Sequence, residues 1–119
     1  MKIFISHSRV YDFNSELYIP LKNSVLSSEH TFIYPHEDVK QISSKKMIED
    51  CDLLLAEVSF PSTGMGIELG WADMLEKRII AIHKDDTHPS PSLQEVTKMF
   101  ISYTDPQDMI EKLGGYLKK

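Results

Sequence analysis

Short apolar runs along the chain are separated by amphipathic and polar stretches, and the two alternate regularly. Residues 2–6 read as a first strand. Residues 12–28 read as a helix with Leu17, Leu21, Val25 and Leu26 on one side. Pro20 lies inside that pattern and predicts a kink or a later helix start, because its ring removes one backbone bond. A short second strand at 31–34 is ended by Pro35, a polar loop follows at 36–42, and Ser43 is placed to cap a short helix through Asp50. The clearest strand is 52–59, where Leu53, Leu54, Leu55, Ala56 and Val58 form a near-continuous apolar run, the signature of a strand covered on both faces. Then come a turn at 60–64, a helix at 65–77, a strand at 78–83 and a polar loop at 84–91. Ser92 is expected to cap a helix to Lys98, ahead of a fifth strand at 100–103. Asp105 followed by Pro106 marks a last helix, which runs toward Leu117 and is weakened by Gly114 and Gly115.

Strand and helix thus repeat five times. Such alternation predicts an α/β fold, a doubly wound parallel sheet with helices on both faces, in the flavodoxin-like strand order 2-1-3-4-5. The length, 119 residues, fits a single domain spanning 1–119, and no repeat or linker interrupts it. In such sheets ligands bind beyond the carboxyl ends of the strands, near the switch point between strands one and three.

Composition narrows the function. A net charge of −5 excludes a sequence-independent nucleic-acid binder, which needs a basic stripe to displace counterions, but leaves room for a small anionic ligand. Cys51 is the only cysteine, so neither an intrachain disulfide nor a thiolate zinc site can form. That usage, with a start that lacks a signal-peptide pattern and no run of membrane-spanning length, predicts a cytoplasmic protein that does not engage a membrane. His83, Asp85, Asp86 and His88 are metal-ligand types, but they share a proline-flanked polar loop and read as solvated; no metal and no cofactor is expected. There is no Gly-x-Ser-x-Gly elbow for a serine hydrolase.

The chemistry concentrates after strand three, in Phe60-Pro61-Ser62-Thr63-Gly64-Met65-Gly66-Ile67-Glu68. Gly64 and Gly66 allow tight turning and close approach to a ligand. Ser62, Thr63 and the helix-start amides can receive an anion, and Glu68 is placed in or near the first helical turn at the same mouth. A glutamate there is also simply stabilising, so spacing alone leaves both readings open. No Gly-Lys-Ser/Thr follows, so this is not a P-loop.

The run AEVSFPSTGMGIELGWA resembles the signature of the nucleoside 2-deoxyribosyltransferase family, which includes the deoxynucleoside 5′-monophosphate N-glycosidases. The match is dense over 52–72 and weaker through Ile82 and Ser92. The resemblance implies that Glu68 is a nucleophile that attacks the anomeric carbon and forms a glycosyl-enzyme ester, resolved by water or a second base. It implies that Ser62 contacts a 5′-phosphate and that Ser92 supplies a second contact across a dimer interface. It also implies a homodimer packed through the helix starting at Met65. That helix carries Ile67, Leu69, Trp71, Ala72, Met74 and Leu75, apolar on more than one side.

Two positions depart from the family pattern. Ser44 stands where an aspartate is usual, and Phe4 where a tyrosine is usual; neither can act as a general acid. The family's glycine-containing first loop is replaced by Ser6-His7-Ser8-Arg9. Ser8 and Arg9 are candidate substrate contacts, Tyr11 a candidate replacement phenol, and Glu37 or Asp38 a candidate incoming carboxylate. Glu57, a charge in an apolar strand, is expected to support the loop by accepting backbone bonds, and Asp52 to be structural. Two other readings stand beside an N-glycosidase or transferase. One is a catalytically degenerate nucleotide-binding module. The other is an NAD glycohydrolase, because the opening IFISHSRVYDF is similar to strand one of Toll/interleukin-receptor domains.

Overall fold

The computed structural model describes residues 1–37 and 43–117. Its strands are β1 (Lys2–His7), β2 (Thr31–Ile33), β3 (Leu53–Glu57), β4 (Arg78–Lys84) and β5 (Phe100–Tyr103). Every pairing is parallel and the order is β2-β1-β3-β4-β5, as the alternation of strands and helices predicts. Helices α1 (Ile19–Lys22), α2 (Leu26–Glu29), α3 (Ser44–Asp50), α4 (Thr63–Met74) and α5 (Pro106–Tyr116) surround the sheet.

Strand alternation sends successive residues to opposite faces and builds two cores. On one face Ile3, Ile5, Leu53, Leu55, Ile80 and Ile82 pack under Leu17, Leu21, Met109 and Leu113. On the other, Phe4, Leu54, Ala56, Ile79 and Ala81 pack under Ile48, Met65, Leu69 and Ala72. Carried to the end of β1, the same alternation aims Ser6 toward α3 and α4, and His7 toward α1.

The expected helix over 12–28 is broken. A π-turn at Asn14–Tyr18 leads into α1, whose first turn holds Pro20, and a serine-rich stretch separates α1 from α2. Ser24 Oγ donates to the Leu21 carbonyl at 2.8 Å and receives Leu26 N–H at 3.2 Å. Ser27 and Ser28 donate to the Ser24 and Val25 carbonyls. These hydroxyls compete for the backbone groups a continuous helix would use, which is why it does not continue. Val25, expected on the apolar side, is 66% exposed.

Helix ends follow their caps elsewhere. Ser43 accepts from Lys46 N–H and Asp105 from Asp108 N–H, and Pro106 opens α5, which runs through Gly114 and Gly115 to Tyr116. The segment expected to be a helix capped by Ser92 is a single 3-10 turn, Pro91–Glu95, and the capping hydroxyl is that of Ser90, which accepts from Ser92 N–H at 3.3 Å. The Pro91 ring sets the turn one residue before Ser92, so Ser92 lies inside it. Among the described residues, no helix is long and apolar enough to cross a membrane.

Candidate active site

Glu68 stands where strands β1 and β3 end and α4 begins. Ser62 is extended (φ −156°) and its Oγ accepts from Met65 N–H at 3.3 Å, so α4 starts at Thr63. Glu68 is therefore in the second turn of the helix, not the first, because the Ser62 cap starts the helix two residues earlier than the sequence pattern indicated. The helix dipole fades within the first turn. Simple dipole stabilisation, which the sequence left open, thus loses most of its weight at this position.

The carboxylate is half-buried. Ser6 Oγ, itself 1% exposed, donates to Glu68 Oε1 at 2.6 Å, a length typical of a hydroxyl bonded to an ionised oxygen. Burial raises the Glu68 pKa above the usual carboxylate value, and hydrogen bonds from the Ser6 and Ser44 side chains pull the other way. Ser44, in the first turn of α3, thus reaches the carboxylate as a neutral donor. Phe4 is fully buried in the core beneath α3 and α4 and offers no polar group.

Gly64 and Gly66 are not turn residues: both lie within α4, and no glycine in the described residues has positive φ. The early helix start puts them there. Gly64 is four residues before Glu68 and so lies one turn above it on the same helix face. A Cβ at Gly64 would meet only Ser62 Oγ at 4.0 Å, and one at Gly66 would meet nothing within 4 Å. The face leading to the carboxylate is left open.

Beyond β1, Ser8 is buried. Its Oγ accepts from Val10 N–H at 3.2 Å, and its carbonyl accepts from His7 Nδ1 at 2.7 Å. That bond fixes the tautomer: Nδ1 carries the proton, so Nε2 accepts from the Tyr18 hydroxyl at 2.7 Å. The Tyr18 oxygen in turn receives His36 N–H at 3.4 Å. Burial pushes the His7 pKa down to about 4, and the nearby Arg9 charge adds to the shift, as it does at His36. Arg9 itself is exposed at the mouth. Burial holds the Tyr18 phenol protonated, and the Glu37 charge and then the Glu68 charge add to it. Sequence reasoning missed both Ser6 and Tyr18; a hydroxyl directly after the apolar run of a strand, which must find a partner when buried, was the available signal for Ser6.

Tyr11 is not beside Glu68. Its ring lies 5.2 Å from that of Phe60, with Lys84 Nζ 5.3 Å above it, and its phenol is held protonated by burial and by Glu57. Glu57 is fully buried on the His7 face and accepts from Ser59 N–H at 2.7 Å, Ser59 Oγ at 2.8 Å and the Tyr103 hydroxyl. Ser59 Oγ also receives Lys84 N–H at 2.8 Å, tying the ends of β3 and β4 together just before the Ser62 loop. Asp52, at the opposite end of the sheet, exchanges bonds with Lys2 at 2.8 Å. Glu37 is ion-paired with Lys22, Ser92 is exposed in the turn between β4 and β5, and Asp38 lies outside the described residues. His83 Nδ1 donates to the Lys84 carbonyl at 2.9 Å.

Fold and site together define a small flavodoxin-like α/β unit with a hydroxyl-bonded carboxylate at its topological switch point. No protein-family model matches the chain. A curated protein of Thermofilum pendens, provisionally assigned as 2′-deoxynucleoside 5′-phosphate N-hydrolase 1, is 32% identical over 77 residues, covering 60% of this chain and 54% of that protein. The match therefore spans about half the length of that relative. Among solved structures, the CMP N-glycosidase of Clostridium botulinum has the same fold with a TM-score of 0.70, at 22% identity over 96% of this chain and 99% of that one. The 2-deoxyribosyltransferase from Leishmania mexicana gives a TM-score of 0.56, at 20% identity over 79% of this chain and 69% of that one. The sequence match and the shared fold bear out the resemblance to the nucleoside 2-deoxyribosyltransferase family.

Proposed function

We propose that the protein cleaves, or exchanges the base of, the N-glycosidic bond of a 2′-deoxynucleoside 5′-monophosphate or a related nucleoside. The observation that carries this reading is the Glu68 carboxylate, half-buried and hydrogen-bonded by Ser6 at the carboxyl end of the sheet. Glu68 attacks the anomeric carbon, the bond from carbon to base nitrogen breaks, and its electron pair leaves with the base. Water, or a second base, then releases the sugar from the glycosyl ester. A nucleophile of this kind needs burial for a dry approach and a donor to stay ionised, and Glu68 has both.

The phosphate is assigned to the start of α4. Ser62 Oγ uses an acceptor site on Met65 N–H, which leaves its own proton for a phosphate oxygen, and the amides of the first turn point the same way. Arg9 adds a cation at the mouth, and Ser8 shapes the loop that carries it. Ser92 is assigned to the phosphate of a second copy. A dimer through α4 is supported by the apolar surface left outside the cores: Ile67 is 49%, Met74 83% and Leu75 41% exposed. A monomer in light scattering at micromolar concentration refutes that assembly.

The deciding assay is base release from a panel of deoxynucleoside monophosphates, with CMP and NAD included. Release that disappears in Glu68→Gln and Glu68→Ala is the expected result. Tight nucleotide binding with no release, even on long incubation, selects a degenerate binding module instead; Phe4 and Ser44, which supply no general acid, favour that second reading.

A further inference from the structure

Ser6 is the one hydroxyl of β1 and directly follows its apolar run Ile3-Phe4-Ile5. Ile3, Phe4 and Ile5 before it are fully buried, and Ser6 is 1% exposed. A buried hydroxyl must be hydrogen-bonded or it destabilises the strand. A small apolar side chain would satisfy the packing as well, so Ser6 is explained by its partner, and that partner is Glu68 Oε1 at 2.6 Å.

Resting on the reading of Glu68 as nucleophile, we propose that Ser6 is a positioning residue for it: its hydroxyl fixes Oε1, keeps the carboxylate ionised, and presents Oε2 as the attacking oxygen. A carboxylate on a helix can rotate about its last bond, and each rotation exchanges the two oxygens. A short bond from a rigid strand to one of them stops that rotation. The same bond assists the second half of the reaction. In the glycosyl ester Oε1 is a carbonyl oxygen and a weak acceptor; as the ester breaks it regains charge, and the Ser6 bond strengthens.

The surroundings make this bond the main handle on Glu68. From β1 the facing groups are Ser6 and the apolar Phe4, while His7 turns to the opposite face, where it is neutral. From α3, Ser44 adds a second hydroxyl. Lys45 lies 5.8 Å from the Trp71 ring, and Lys46 is paired with Glu49 and Asp50. Tyr18, beyond the end of β1, is a phenol that feels the Glu68 charge. Burial and the two hydroxyls therefore govern when Glu68 ionises.

The test is a titration that does not depend on turnover. The Glu68 side-chain carboxyl carbon is followed by 13C NMR from pH 3 to 9, the signal being identified by its loss in Glu68→Gln. In Ser6→Ala the midpoint is expected to rise by about one pH unit or more, since a hydroxyl bond to an ionised carboxylate is lost while the burial remains. Ser6→Cys, with a weaker donor, moves the midpoint the same way, and serves if the alanine variant does not fold. Ser6→Thr restores the hydroxyl and returns it to the wild-type value. A midpoint that stays put in both Ser6→Ala and Ser6→Cys overturns the proposal. In the base-release assay the acidic limb of kcat/KM is expected to move upward with the titration, with little change in KM. A wild-type protein that releases no base refutes the nucleophile itself, while the titration still reports whether Ser6 controls the carboxylate.

Discussion

Lowering the pH from 7 to 4.5 should cost this protein about 2 kcal/mol of folding stability through His7 alone. The ring is buried, it donates from Nδ1 to the Ser8 carbonyl, and its Nε2 is committed as an acceptor to Tyr18. Protonating Nε2 would place a cation among Phe13, Tyr18 and His36 and would force the Tyr18 hydroxyl to turn from donor to acceptor. Its folded pKa is accordingly about 4, against 6.5 for the free side chain. Between those values the unfolded chain binds a proton that the folded chain does not. Stability from this group is thus complete above pH 6.5 and is lost progressively as the pH falls toward 4. A displacement of that size is worth about 3 kcal/mol in full, most of it already lost at pH 4.5. His36, also lowered, acts in the same direction, and Glu68, raised, acts in the opposite one. The His7 share is isolated by difference: urea unfolding of wild type and His7→Gln at both pH values. Glutamine keeps a donor and an acceptor but does not titrate, so whatever it costs, it costs equally at the two pH values. Equal loss of stability in both proteins, to within about 0.5 kcal/mol, would refute the assigned tautomer and the burial argument together.

Three further outcomes follow from single contacts. Tyr103→Phe removes one donor from the buried Glu57 carboxylate and should destabilise the fold by about 1.5–3 kcal/mol in urea unfolding, with no change in the helical circular dichroism. Tyr11→Phe should do the reverse: among the described residues its buried hydroxyl has no hydrogen-bond partner, so deleting it is expected to stabilise by about 1 kcal/mol, read as a higher unfolding midpoint. Glu76, at φ 58°, closes α4 with Glu76 N–H on the Asp73 carbonyl at 3.0 Å and Lys77 N–H on that of Ala72 at 2.9 Å, so Glu76→Gly should gain about 0.5–1 kcal/mol in the same assay.

Strand order and the caps of the helices at Ser43 and Asp105 were legible in the sequence because they depend on local signals: period, apolar runs and one oxygen at a fixed spacing. The break between α1 and α2 was not, since it comes from three serine hydroxyls, of Ser24, Ser27 and Ser28, bonding nearby carbonyls, and the apolar period there looks the same either way. The start of α4 was misplaced by two residues for a related reason. Ser62 and Met65 are both plausible starts by composition, and only the bond from Met65 N–H to Ser62 Oγ decides between them. At the candidate site, Glu68 and Ser62 were singled out by the resemblance to the family signature, and the structure puts Ser62 at the cap and Glu68 in the second turn of α4. Ser6 and Tyr18 were not, because each matters through a partner far along the chain, Glu68 and His7 respectively.

The character of the Glu68 site follows from what bonds it. A lysine or arginine against the carboxylate would also keep it ionised in a half-buried position, and more strongly. It would do so by cancelling the negative charge that, on the proposed function, a developing oxocarbenium ion needs beside it. Serine hydroxyls separate the two effects: Ser6 and Ser44 favour the ionised form, yet leave the site with its full charge of one. His7 belongs to the same logic. It occupies the next position on β1 but faces the other core, and its uncharged state, enforced by the Ser8 and Tyr18 bonds, keeps a second cation away from the mouth where Arg9 already provides one. Adjacent residues of one strand thus set the charge balance from its two faces, and a one-residue slip of β1 would exchange a hydroxyl for an imidazole at the carboxylate and undo it.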